Sequence, residues 1–116
     1  MKLRFAVLAM VVLSVTLFFM ACQTKEVTSA KVYIQQDNWD KAIEQLEMAV
    51  DMYPNDAEAH YLLGQGMAQK QNWERMNEMF EKSLAVAPTF EAEIKNTRDK
   101  NWVNQFNGGV AKLKNE

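Results

Sequence analysis

The chain has 116 residues, 13 of them basic and 15 acidic, with a single histidine and a single cysteine. That length holds one small domain beside a targeting segment. One cysteine excludes an internal disulfide framework, and one histidine excludes a two-histidine metal site. Neither charge sign forms a block long enough for a nucleic-acid stripe or a polybasic membrane patch, so nucleic acid is not an expected partner.

In chain order, Lys2 and Arg4 precede an apolar run from Phe5 to Ala21 that only Ser14 and Thr16 interrupt. A charged start, an apolar stretch and a small residue before a cut form the layout of a secretory signal. With Cys22 directly after Ala21, the segment resembles the signal of a bacterial lipoprotein. That family favours Leu three residues before the cysteine and a small or β-branched residue two before it; here Phe19 and Met20 stand in those places. The resemblance implies a cleaved signal peptide at residues 1–21 and a diacylglycerol and an N-acyl chain on Cys22. Residues 22–26 follow as lipidated terminus and tether. Gln23, where some members carry an Asp that retains them in the inner membrane, implies an outer-membrane lipoprotein facing the periplasm. An uncleaved anchor and an ordinary signal peptide are the other readings. Seventeen apolar-run residues at ~1.5 Å each span about 25 Å, short of a hydrocarbon core of roughly 30 Å. Without Lys2 and Arg4, 11 basic residues stand against 15 acidic ones. Lys25 is the only basic residue near Cys22, so attachment falls to acyl chains, of which two or more hold stably.

Pro54 and Pro88 lie 34 residues apart and organise the next segment. Superposing windows 23–56 and 57–90 pairs Tyr33 with Met67, Asn38 with Asn72, Trp39 with Trp73, Leu46 with Phe80 and Val50 with Leu84. From Trp39, apolar side chains recur at Ala42, Ile43, Leu46, Ala49, Val50 and Tyr53, the spacing of one helix face. Trp73, Met76, Phe80, Ser83, Leu84 and Ala87 repeat the stripe. Asn38 and Asn72 precede the stripes as candidate caps. Asn55 followed by Glu58 has the logic of a capping box for the helix between them. Each window is predicted to be a helical hairpin, and neighbouring hairpins stack to bury their apolar faces. Gly64 and Ala30 are expected where helices approach closely, whereas Gly66 reads as a plain helix-weakening residue.

This period and content resemble the tetratricopeptide repeat (TPR). The second window carries Leu63-Gly64, Phe80 and Pro88, and the first carries Ala30, Tyr33, Ala42, Ala49 and Pro54. The resemblance implies an all-α fold of antiparallel helical hairpins stacked as a short, right-handed TPR solenoid, with two hairpins in residues 27–90. It also implies a non-enzymatic module that binds a protein or peptide in a groove lined by the first helix of each repeat. The residues it places there are Val27, Lys31, Ile34, Gln35, Tyr61, Gln65, Ala68 and Gln69. Only Lys31 among them is basic, so the set lacks the Lys, Arg and Asn cluster with which one TPR subclass clamps C-terminal carboxylates.

Residues 91–116 are expected to form a long helix from near Thr89. It either caps the second repeat or opens a further, truncated repeat, with Gly109 in the small-residue place after an insertion of about eleven residues. Phe106, Val110 and Leu113 would then form an apolar face folded onto the second repeat or left unpaired. No constellation for catalysis stands out, and neither a cofactor nor a small-molecule substrate is expected. His60 occupies an aromatic packing position of the TPR pattern, and Asp56, four residues earlier, is its nearest candidate partner. The glutamates Glu44, Glu47, Glu78 and Glu81 read as solvated helix surface, and Met79 as the one methionine facing a partner. The expected function is a membrane-anchored envelope lipoprotein acting through its TPR groove. A structural subunit of an envelope assembly or secretion machine, and the N-terminal part of a larger TPR protein, are the alternatives.

Overall fold

A computed structural model describes residues 1–19 and 23–115. Cys22, the expected lipid-acceptor, lies outside the described residues, as do Met20, Ala21 and Glu116. Among the described residues six α-helices run in order: α1 Lys2–Phe19, α2 Lys25–Gln35, α3 Trp39–Met52, α4 Ala57–Gln69, α5 Trp73–Val86 and α6 Glu91–Lys114. A 3₁₀ turn, Pro88–Phe90, leads into α6, and no strand occurs among the described residues. Among those residues no helix is long and apolar enough to cross a membrane.

Each internal helix starts on a side-chain oxygen that takes up an otherwise unpaired backbone N–H. Thr24 accepts from Val27 N, Asn38 from Lys41 N, and Asn72 from Arg75 N at 3.2 Å. For α4 the cap is Asp56, which accepts from Ala59 N at 3.1 Å. Asn55 does not serve, because the acceptor must sit directly before the first helical residue, Ala57. Glu58 is thereby released from the expected capping box and reaches the first hairpin instead. Thr24 also starts α2 inside the segment read as tether, and Glu26 and Val27 are buried.

The turn inside each hairpin is built twice in the same way. Asp37 N donates to Ile34 O and Asn38 N to Tyr33 O; Gln71 N donates to Ala68 O and Asn72 N to Met67 O. This crossed pair is the Schellman arrangement, and it needs a left-handed residue after the cap. Asp37 (φ 55°) and Gln71 (φ 57°) fill that place, 34 positions apart. A residue with a Cβ is strained there, whereas glycine is not. Gln71→Gly is therefore expected to stabilise the protein by up to about 1 kcal/mol in urea unfolding. A loss of stability would show that the Gln71 side chain contributes more than its backbone costs.

Ala30, Leu46, Leu63, Met67, Met76, Met79, Phe80 and Ile94 form the main core, and Val27, Ala49 and Ala59 a smaller one. α2 packs on α3, α4 on α5, and α3 on α4, so the hairpins stack in sequence order. Two glycines set the close approaches. A Cβ on Gly64 would lie 2.4 Å from two ring carbons of Phe80, within the second hairpin. A Cβ on Gly66 would lie 2.8 Å from Ile43 Cγ1, at the contact between hairpins. Gly66 thus has a packing role that its place in the sequence did not announce. Met79, expected to face a partner, is buried, because α5 is covered by more than one neighbour.

α6 begins at Glu91, 34 residues after Ala57 opens α4, so the period continues into it without the expected insertion. Ile94 is buried in the main core. Arg98 donates to Asn77 Oδ1 (3.0 Å) and Glu81 Oε1 (2.7 Å), and Asn101 donates to the Met76 sulfur. These contacts seat residues 94–101 against the second hairpin. Past Asn101 every described residue is exposed. Gly109, read as a close-approach position, has nothing within 4 Å of where its Cβ would be. Phe106, Val110 and Leu113 are not folded onto the second repeat.

Candidate protein-docking face

Lys31 Nζ pairs with Glu58 Oε1 at 2.5 Å, joining α2 to α4. Gln23 Nε2 donates to the other Glu58 oxygen at 2.9 Å, so the chain just before α2 is tied to the second hairpin. The pair is part-exposed, and such contacts contribute little stability while fixing orientation.

Tyr61 and Gln65, also expected on the open groove, are taken up by the C-terminal segment. The Tyr61 ring stacks on Phe90 with centroids 4.4 Å apart and planes 2° from parallel, and lies 6.2 Å from Phe80. Gln65 Nε2 donates to Tyr61 Oη (3.1 Å) and to Thr97 Oγ1 (2.8 Å). Thr97 in turn donates to Glu93 O, completing a local network. Val27, placed in the groove by resemblance, is fully buried beside Ala49 and Ala59. Gln35 and Gln69 are exposed, with Ile34 and Ala68 half-buried next to them. Ile34 and Ala68, and likewise Gln35 and Gln69, occupy equivalent places 34 residues apart at the ends of α2 and α4. The structure therefore divides the expected set: two residues position the C-terminal segment, one is core, and the rest leave an amide-bearing strip at the surface.

His60 Nε2 donates to Pro54 O at 2.8 Å, which bonds the α4 start to the turn before it. Its Nδ1 is buried and finds no hydrogen-bond partner among the described residues. Asp56, the expected partner, spends its side chain on the cap. Among the described residues no group of three or more His, Cys, Asp or Glu is placed to hold a metal ion.

A second concavity, which the sequence did not reveal, lies between α3 and α5. It is an open cleft of about 960 Å³ with Met48, Val50 and Met79 among its lining residues. Arg75 closes one side with a two-toothed contact to Glu47 (2.8 and 2.7 Å). Lys82 Nζ donates to Glu78 Oε1 at 2.9 Å, which holds the Glu78 carboxyl below its ordinary pKa. Both ion pairs are self-contained, leaving the cleft little free charge. The cleft forms where the two hairpins stack through α3 and α4, and a one-dimensional repeat does not display that register.

The geometry of the described residues offers surfaces for binding. A search of curated proteins gave no match. Residues 30–71 match the family model described as TPR repeat, and together with the all-helical structure this match supports a TPR protein, of a kind that typically serves protein–protein interaction.

Proposed function

We propose that this chain is a membrane-anchored envelope lipoprotein that docks a protein or peptide partner, without catalysis, along the first-helix strip of its repeats. The observation that carries the docking reading is the repeated pair Ile34-Gln35 and Ala68-Gln69, exposed amides beside apolar contacts at equivalent places on α2 and α4. Primary amides donate and accept, so a ladder of them suits the backbone of an extended peptide. Lys31, held by Glu58, adds one localised charge at the edge. Tyr61 and Gln65 act indirectly, by seating the C-terminal segment beside the strip.

The anchoring reading rests on the Lys2, Arg4 and apolar-run layout ending at Ala21-Cys22. A lipid on Cys22 would hold the body near the membrane, because α2 starts at Lys25 and two intervening residues extend only ~7 Å. Outer-membrane placement follows from Gln23 by the family rule.

Co-purification from detergent-solubilised envelopes of the host tests the docking reading. Gln35→Lys combined with Gln69→Lys is expected to lower partner recovery at least roughly ten-fold, as buried hydrogen bonds are lost on binding, with unchanged urea unfolding. Unchanged recovery would remove the strip from the interface. The intact mass of the membrane-extracted protein tests the anchor: acyl chains on Cys22 are expected, and an unlipidated chain retaining residues 1–21 would contradict it.

A further inference from the structure

We propose that the C-terminal half of α6, residues 102–113, is a lipid-binding face that lies on an anionic membrane surface. At 100° per residue, Trp102, Val103, Phe106, Val110 and Leu113 fall within an arc of about 100°, into which no polar residue of 102–113 falls. All five are exposed, Trp102 at 66% and Leu113 at 75%. The Trp102 and Phe106 rings stack on each other, centroids 5.5 Å apart.

Charge selects the occupant. Residues 100–115 contain Lys100, Lys112 and Lys114 and no Asp or Glu, bounded by Asp99, which is paired with Lys95, and by Glu116, whereas residues 23–99 carry 14 acidic against 8 basic side chains. Lys114 and Lys100 follow one edge of the apolar arc and Lys112 lies beyond the other, so long cationic side chains flank the aromatic face. Trp, Phe and Leu on one side with Lys along the borders is the arrangement that settles a helix at a lipid headgroup boundary. A second copy of the chain fits less well. Val103, Phe106, Val110 and Leu113 make only two heptads of seam, below the three or four that sustain a helix pair. Gly108 and Gly109 weaken the helix in the middle of that seam. A lipid surface requires no partner helix and tolerates a short segment.

The face does not depend on a lipid at Cys22, and α1 alone is apolar enough to bring the full chain to vesicles, so the readout must be local. In the full chain with Trp39→Phe and Trp73→Phe, Trp102 is the sole tryptophan and is excited selectively over the three tyrosines at the red edge of its absorption. Its emission is expected to shift to the blue, and to be quenched by brominated acyl chains, in phosphatidylcholine vesicles containing phosphatidylglycerol. Adding Lys112→Glu and Lys114→Glu should weaken that quenching at least roughly ten-fold while the chain still floats with the vesicles. Amide exchange of residues 102–113 in the unsubstituted chain, slowed by the same vesicles, gives the answer if the tryptophan variant folds poorly. Trp102 remaining unquenched and its amides unprotected would overturn the proposal. So would protection that ignores phosphatidylglycerol, or a blue shift that grows with protein concentration without lipid, which would assign the face to a second copy.

Discussion

Phe80→Ala is expected to destabilise the protein by about 3–5 kcal/mol, the range for emptying a buried aromatic site. Phe80 is fully buried, and its ring meets α4 at Gly64, lies near Tyr61, and sits under the Arg98 guanidinium. It therefore holds α4, α5 and α6 together, and those walls cannot collapse into the space independently. A single core this small rarely supplies more than about 3–5 kcal/mol. The second hairpin should consequently lose its cooperative unfolding transition, read by far-ultraviolet circular dichroism in urea. Val86→Ala, at an exposed site on the same helix, should stay within about 0.5 kcal/mol of the parent. A cost below about 1 kcal/mol for Phe80→Ala would mean that the hairpin is not held by this core.

Gly64→Ala sets two effects against each other. Helix propensity favours alanine by about 1 kcal/mol, while forcing a methyl to within 2.4 Å of a buried ring requires the helices to part. Overpacking of that kind costs about 1–3 kcal/mol, so a net loss of about 1–2 kcal/mol is expected. The flexible end of a side chain can swing away, but the Phe80 ring is enclosed. The same reasoning gives a different result at Gly66. There the new methyl would lie 2.8 Å from Cγ1 of Ile43, which is half-buried and not enclosed, so propensity should offset more of the contact cost. Combining Gly64→Ala with Phe80→Leu should cost less than the two separate losses, with a coupling of about 0.5–3 kcal/mol. Strict additivity would show that the ring and the glycine do not confront each other.

Much of this fold is legible in the sequence because the repeat is written in residues with strong local preferences. Asn38 and Asn72 cap, Pro54 and Pro88 follow the second helices, and the stripes from Trp39 and Trp73 carry helix periodicity. The misreadings arise where one helix contacts several neighbours. Met79 lies off the main stripe but is buried, since a helix packed on two sides needs a wider apolar arc than a single-stripe pattern allows. Asn55 and Asp56 are adjacent acceptors, and only the backbone settles which of them caps α4. The repeat register of α6 is not legible because, apart from Ile94, the helix is seated by Arg98, Asn101 and Thr97 through polar contacts that leave no hydrophobic period. For the same reason the claim of Tyr61 and Gln65 by that segment is not legible, and with it the narrowing of the candidate site to Lys31, Ile34, Gln35, Ala68 and Gln69.

That narrowing also separates stability from recognition. Tyr61 stacks on Phe90, so truncating it would loosen the C-terminal segment together with any partner contact. Gln35 and Gln69 are exposed and make no such contact, which makes them the cleaner probes of docking.

Site-specific photo-cross-linking in the host tests the central claim most directly, with the reactive group placed in turn at Gln35, Gln69 and Lys82. Gln35 and Gln69 lie on the first-helix strip, while Lys82 lines the cleft between α3 and α5. The same discrete protein adduct at Gln35 and Gln69, with none at Lys82, is the predicted result. Adducts confined to Lys82 would move the docking surface to the opposite side of the hairpins and contradict the account.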